Sequence, residues 1–134
     1  MKYLLGIDVG TSGTKAVLFD FDGNTVCSAV SEYEMYQPQK GWAEQHPEHW
    51  WRAVCSVIKE ITSRVDCASL IAAVGLTGQM HGLVALDRDN NVLRPSIIWC
   101  DQRTGKECEQ ITSIVGDVRL REITANPALT GFTA

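Results

Sequence analysis

The sequence predicts an α/β fold built on a mixed sheet: an antiparallel three-strand meander, a helical crossover and further strands. Three observations predict it. An apolar run, Tyr3–Asp8, enters a glycine- and hydroxyl-rich turn, and a second run, Thr14–Asp20, leaves it. Asp22-Gly23 is a tight-turn dipeptide leading into a third run, about Thr25 to Tyr33. A helix-spaced apolar stripe then precedes the short apolar segment Leu70–Thr77, which suits a buried strand returning parallel through a helix.

The elements follow in order. Gln37–Gln45 is a polar loop too short to link domains. Pro47, favoured at a first helical position, starts a helix whose stripe is Trp50, Val54, Val57, Ile58, Ile61 and Val65. Trp50 and Trp51 read as core. Leu83–Leu86 and Ile97–Cys100 are further strands joined through the turn Asp87–Asn91. A second helix spans Arg103–Val115, with Cys108, Ile111, Ile114 and Val115 inward, and a short third helix follows Asp117 as its N-cap. Residues 125–134 have the look of an ordered loop cut short, so a fragment of a larger protein is expected.

Composition excludes several classes. The chain has 134 residues, 45% hydrophobic and 21% charged, which suits one soluble globular domain. A formal charge of −4 and the lack of a Lys/Arg run argue against a nucleic-acid surface. The run Tyr3–Ile7 is too short for a signal peptide, and Leu70–Leu76 is far short of a membrane span. Five cysteines (Cys27, Cys55, Cys67, Cys100, Cys108) with no C-x-x-C fit reduced, mostly buried thiols in a cytoplasmic protein. His46-Pro47-Glu48-His49 offers no third metal ligand at suitable spacing.

The first turn carries the most chemistry. Glycines let backbone N–H groups converge on anionic oxygens. Gly10, Thr11, Ser12, Gly13, Thr14 and Lys15 therefore read as a phosphate cradle, and Asp8 as the carboxylate for a hydrated Mg²⁺. The helical phosphate loops do not fit, because Ala16-Val17-Leu18-Phe19 reads as strand. Taken alone, the motif also fits an ordinary glycine-rich hairpin.

A second constellation is Thr77-Gly78-Gln79-Met80-His81-Gly82 with Trp99-Cys100-Asp101-Gln102-Arg103. A neutral imidazole at His81 can donate to and accept from sugar hydroxyls, and Met80 can pack on a carbon face. His81 also reads as a turn histidine satisfied by backbone. Trp99 and Asp101 also read as a core tryptophan beside an N-cap aspartate.

With Gly41-Trp42-Ala43-Glu44-Gln45, Pro47–Trp51, Arg94–Asp101 and Gly131-Phe132-Thr133, these segments resemble the actin-like ATPase superfamily and, within it, the FGGY family of carbohydrate kinases. The similarity is greatest to members acting on D-xylulose and rests there on Gln79–Gly82; glycerol-acting members carry Asn-Gln-Arg-Glu instead. The resemblance covers essentially the whole chain. It implies an actin-like ATPase (ribonuclease H-like) fold, residues 1–134 being the N-terminal part of an incomplete first domain, with the second domain absent.

The resemblance further implies ATP and Mg²⁺ as cofactors and D-xylulose as the small-molecule partner. It gives Asp8 a catalytic and metal-organising role, and Gln79, Met80, His81, Trp99 and Asp101 the sugar. It involves no nucleic acid or membrane and admits a homodimer. Such kinases use a later aspartate as general base. Asp66, Asp101 and Asp117 lie in the wrong contexts for it, so this polypeptide alone is expected to be inactive. The alternatives are a gluconate- or glycerol-type kinase of the same family, or a non-catalytic nucleotide- or sugar-binding module.

Overall fold

The computed structural model describes residues 2–65 and 68–132. It divides into two compact units, Met1–Glu34 with Pro47–Gln79, and Met35–His46 with Met80–Ala134.

The first unit holds the sheet. Strands β1 (Tyr3–Val9), β2 (Gly13–Phe19) and β3 (Thr25–Glu32) form the expected meander. After helix α1 (Pro47–Val65) and a 3₁₀ turn at Ala68–Leu70, a parallel strand spans Ile71–Gly78 beside β1. The sheet order places it at one edge and β3 at the other. Alternation decides the faces. Leu5 and Ile7 of β1, Ala16 and Leu18 of β2 and Ala29 of β3 turn to one side, and α1 covers them with Val57 and Ile61. Each fully buried leucine or isoleucine there contributes about 1.5–3 kcal/mol. At the first turn, a Cβ on Gly13 would stand 2.9 Å from the Ser31 carbonyl oxygen, so glycine is required there by the close approach of β3.

Several expectations change. Trp51 points to solvent, 69% exposed, and Trp50 is only half-buried, because α1 directs its stripe through Ala53, Val57 and Ile61. The strand 71–78 is not buried: Leu76 is 73% exposed. A short apolar run gives its own propensity, not what covers it. Of the described thiols, only Cys108 is buried, while Cys55 is exposed and Cys27 and Cys100 are half-buried. Cys67 and Asp66 lie outside the described residues.

The second unit is less regular. The polar loop contributes a strand, β4 (Glu44–Gln45), which pairs antiparallel with Ser96–Ile97; numbering by chain order, the edge strand Ile71–Gly78 is β5 and Ser96–Ile97 is β6. The expected strand Leu83–Leu86 survives as single bridges, Leu83 to Ile97 and Leu86 to Val92, around the Asp87–Asn91 turn. Helix α2 (Gly105–Val115) begins two residues later than expected, with Thr104 at its N-cap. It buries Cys108 but leaves Ile114 exposed, contrary to expectation. Helix α3 (Asp117–Thr124) has Gly116 at its cap, so Asp117 is the first helical residue and pairs with Arg121 at 2.9 Å. Among the described residues no helix is long and apolar enough to cross a membrane.

Candidate functional site

In the first unit, one row crosses three strands. Asp8 of β1 lies opposite Lys15 of β2 and beside Thr77 of β5. All three belong to the sheet face away from α1 and line a cavity of about 490 Å³ with Gly6, Val17, Phe19 and Leu76. Asp8 and Lys15 are exposed. One accessible carboxylate beside an ammonium and a hydroxyl is a donor set that fits a hydrated divalent cation carrying anionic oxygens.

The adjoining turn is closed by a Gly10 N–H to Gly13 carbonyl bond of 3.0 Å. Tyr33 holds its tip. The Tyr33 hydroxyl donates to the Gly10 carbonyl at 2.5 Å, and its N–H donates to the Ser12 carbonyl at 3.3 Å. Two of the turn's acceptors are thereby occupied within the protein, which reduces their repulsion of an anion. Ser12 is exposed and Thr11 half-buried. Thr14 does not join them, being fully buried on the side of the sheet that α1 covers. Burial pushes the Tyr33 phenol above its ordinary value, the nearby Thr14 hydroxyl lowers it and the charge of Asp8 raises it further. The Gln79 N–H donates to the Val9 carbonyl at 2.8 Å, which ties that residue to the end of β1.

In the second unit, the segments around Trp42 and Asp101 meet in a buried charge network. Asp101 is 1% exposed. Its carboxylate accepts from the Ala43 N–H at 2.7 Å, from the Arg103 N–H at 2.9 Å and from the Arg103 guanidinium at 2.7 Å. Burial pushes this carboxyl up, but the bonds from Arg103 and Ala43 outweigh it and hold the group below the usual range. Arg103 also pairs with Glu44 at 2.8 Å and lies 3.7 Å over the Trp42 ring; its pKa is raised, first by the bond to Asp101. Glu44 takes Arg94 as well, at 2.7 Å. Asp101 is thus neither an N-cap nor an accessible ligand, and its bonds are made within the unit. Arg103 stands two residues from Asp101, a pairing that the sequence offers beside the reading of a solvent-facing arginine; sequence reasoning missed Glu44 because it stands far from both in the chain.

The accessible features of this unit lie elsewhere. His81 sits in the left-handed region, φ 64°. It lines a cavity of about 390 Å³ with Gly82, Leu83, Ile97, Thr104, Gly131 and Phe132. Met80 and Trp99 are exposed, but neither lines this cavity. No group of three or more metal-ligating side chains occurs among the described residues.

Comparison with known proteins finds that the N-terminal domain of the FGGY family of carbohydrate kinases matches residues 3–134. A xylulose kinase from Lactococcus lactis is 44% identical over 134 residues, 99% of this chain and 26% of its own length. The crystal structure of a xylulose kinase from Brucella ovis superposes with a TM-score of 0.89 at 39% identity, covering 97% of this chain and 27% of that one. A gluconate kinase from Lactobacillus acidophilus gives a TM-score of 0.83 at 33% identity, covering 90% and 24%. The chain spans about a quarter of the length of the relatives it matches.

Proposed function

The chain belongs to the FGGY family of carbohydrate kinases, and we propose that the protein it comes from transfers the γ-phosphoryl group of ATP to the 5-hydroxyl of D-xylulose. The products are D-xylulose 5-phosphate and ADP. Residues 1–134 form the N-terminal part of its first domain. The observation that carries the kinase reading is the row Asp8–Lys15–Thr77 beside a turn whose Gly10 and Ser12 carbonyls are tied to Tyr33. Similarity to xylulose kinases, together with Gln79-Met80-His81-Gly82, supports the choice of sugar.

When bound, Mg²⁺-ATP supplies the phosphoryl group and the charge neutralisation that phosphoryl transfer depends on. Asp8 holds the water shell of the cation. Lys15 and the Thr11 and Ser12 hydroxyls donate to phosphate oxygens. His81 exchanges hydrogen bonds with a sugar hydroxyl, and Met80 packs against the carbon face. Gln79 directly precedes Met80 in the same tetrapeptide, and the family resemblance assigns both it and Trp99 to the sugar. Asp101 acts from behind, by fixing the Ala43 and Arg103 backbone.

Neither Asp101 nor Asp117 suits the general base. Asp101 is locked to Arg103, and Asp117 is paired with Arg121 on α3. With the later aspartate that the family resemblance implies as base, the 134-residue polypeptide is expected to turn over no sugar by itself. The likeness to a gluconate kinase favours one second reading, a related sugar acid as substrate. ADP release by the full-length protein with D-xylulose, gluconate and glycerol tests both. A clear preference for D-xylulose is expected; a preference for either other compound overturns the assignment of the sugar.

A further inference from the structure

The segment Gly131-Phe132 has no part in the phosphoryl transfer proposed for this family member, yet it meets His81. The two rings stack with centroids 3.9 Å apart and planes 28° from parallel. Both residues line the same 390 Å³ cavity, whose other walls include the apolar Leu83 and Ile97 and the hydroxyl-bearing Thr104.

The approach of Phe132 is built in by its neighbours. Gly131 has φ 66°, and a Cβ there would stand 2.2 Å from the Trp99 carbonyl oxygen and 2.9 Å from that of Asp101. Only glycine lets the chain pass that close. Thr130 adds a bond from its hydroxyl to the Gln102 side-chain oxygen at 2.8 Å, and the Phe132 N–H donates to the Leu129 carbonyl at 3.3 Å. The segment is thus fastened to the backbone of 99–102, which the Asp101–Arg103 network fixes from the other side.

His81 needs such support. A non-glycine residue at positive φ is sparsely populated and persists where its surroundings hold it. The Leu83 N–H to Ile97 carbonyl bond, 2.9 Å, anchors the turn just after it. A phenyl ring on one face of the imidazole restricts rotation of the ring while leaving the in-plane nitrogens at its edge able to meet a ligand.

We propose that Phe132 is a positioning residue of the sugar site, holding the His81 imidazole edge-on to the cavity, with Gly131 as the pin that brings it there. This rests on the assignment of His81 to the sugar. It also changes how Trp99 and Asp101 serve the site, since the segment that carries Phe132 packs against their carbonyls.

The test uses the full-length protein and two variants, Phe132→Leu, which keeps apolar bulk but removes the ring, and Phe132→Tyr, which keeps the ring. NMR of the His81 ring protons reports the stack through its ring-current shift. Kinetics with D-xylulose report its consequence. The expected result is a ring-current shift present in the parent and in Phe132→Tyr and absent in Phe132→Leu. The sugar KM should rise about tenfold in Phe132→Leu, the ATP KM should hold, and Phe132→Tyr should recover most of the loss. A Phe132→Leu enzyme with an unchanged sugar KM, alongside an impaired His81→Ala enzyme, overturns the proposal while leaving the kinase reading intact. A parent that phosphorylates no sugar overturns that reading, and this role of Phe132 with it.

Discussion

The hydroxyl of Tyr33 donates to the carbonyl of Gly10 across 2.5 Å, joining the end of β3 to the first turn of the chain. This bond makes a residue outside the glycine motif part of its geometry. Tyr33→Phe should cost about 1 kcal/mol in denaturant unfolding, the usual worth of one such bond. It should also raise the ATP KM several-fold while leaving the sugar KM in place, as steady-state kinetics will show.

The same phenol predicts an alkaline limit. Its pKa rises on folding, chiefly by burial, from an ordinary 10.0. A phenol raised on folding stabilises the fold fully below its unfolded value and loses that contribution as pH climbs through the folded value. Stability measured from about pH 9 upward should therefore decline more gently in Tyr33→Phe than in the parent.

Asp101 sets the acid limit. Its carboxyl is held below the usual carboxylate range, so its contribution is present above the ordinary value of 3.8 and disappears as pH falls through the folded value. Asp101→Asn leaves Arg103 facing one carboxylate instead of two. The expected loss is about 3 kcal/mol at neutral pH, with a flatter acid limb, in unfolding curves taken across pH.

Two turns of the chain share one design, and one of them is strained. Asp20 accepts from the Asp22 and Asn24 N–H groups, and Asp87 accepts from those of Asp89 and Asn91. The fourth position is Gly23 in the first turn, φ 86°, and Asn90 in the second, φ 64°. Asn90→Gly should be neutral or stabilising by up to about 0.5 kcal/mol, because relief of the left-handed strain offsets the entropy of glycine. A thermal melt checks it.

The edge strand β5 exposes Val74 and Leu76 beside an outer edge that no described strand joins. Apolar edge strands template pairing with other chains. The 134-residue polypeptide should self-associate in light scattering, and Leu76→Lys should reduce that.

The sheet is legible in the sequence because its signals are local. Leu5, Ile7, Ala16 and Leu18 alternate, and Asp22-Gly23 announces its own turn, so the meander and the parallel return follow from the residues alone. Asp8, Ser12 and Lys15 are legible for the same reason, as parts of one turn and its flanks. Arg103 as a partner of Asp101 is legible too, being two residues away, but the distant partners are not. Ala43 lies 58 residues away, and no periodicity marks Glu44-Gln45 as a buried strand. Asp101 reads as a helix cap because capping is a local rule, while the pair with Arg103 two residues on, and the long-range links to Ala43 and Glu44, decide its place. Exposure along β5 and α2 is hidden too, since an apolar residue states a preference and not its cover. The motif Gly131-Phe132 is visible as a pattern, but its meaning lies in the stack on His81.

Whether His81 belongs to a D-xylulose site is tested most directly by titration calorimetry. D-xylulose is titrated into the full-length protein, beside His81→Ala and a D-glucose control. Selective D-xylulose binding is expected, and His81→Ala should abolish it or weaken it by at least about tenfold. Undiminished binding by His81→Ala, or no binding of D-xylulose by the parent, would contradict the assignment.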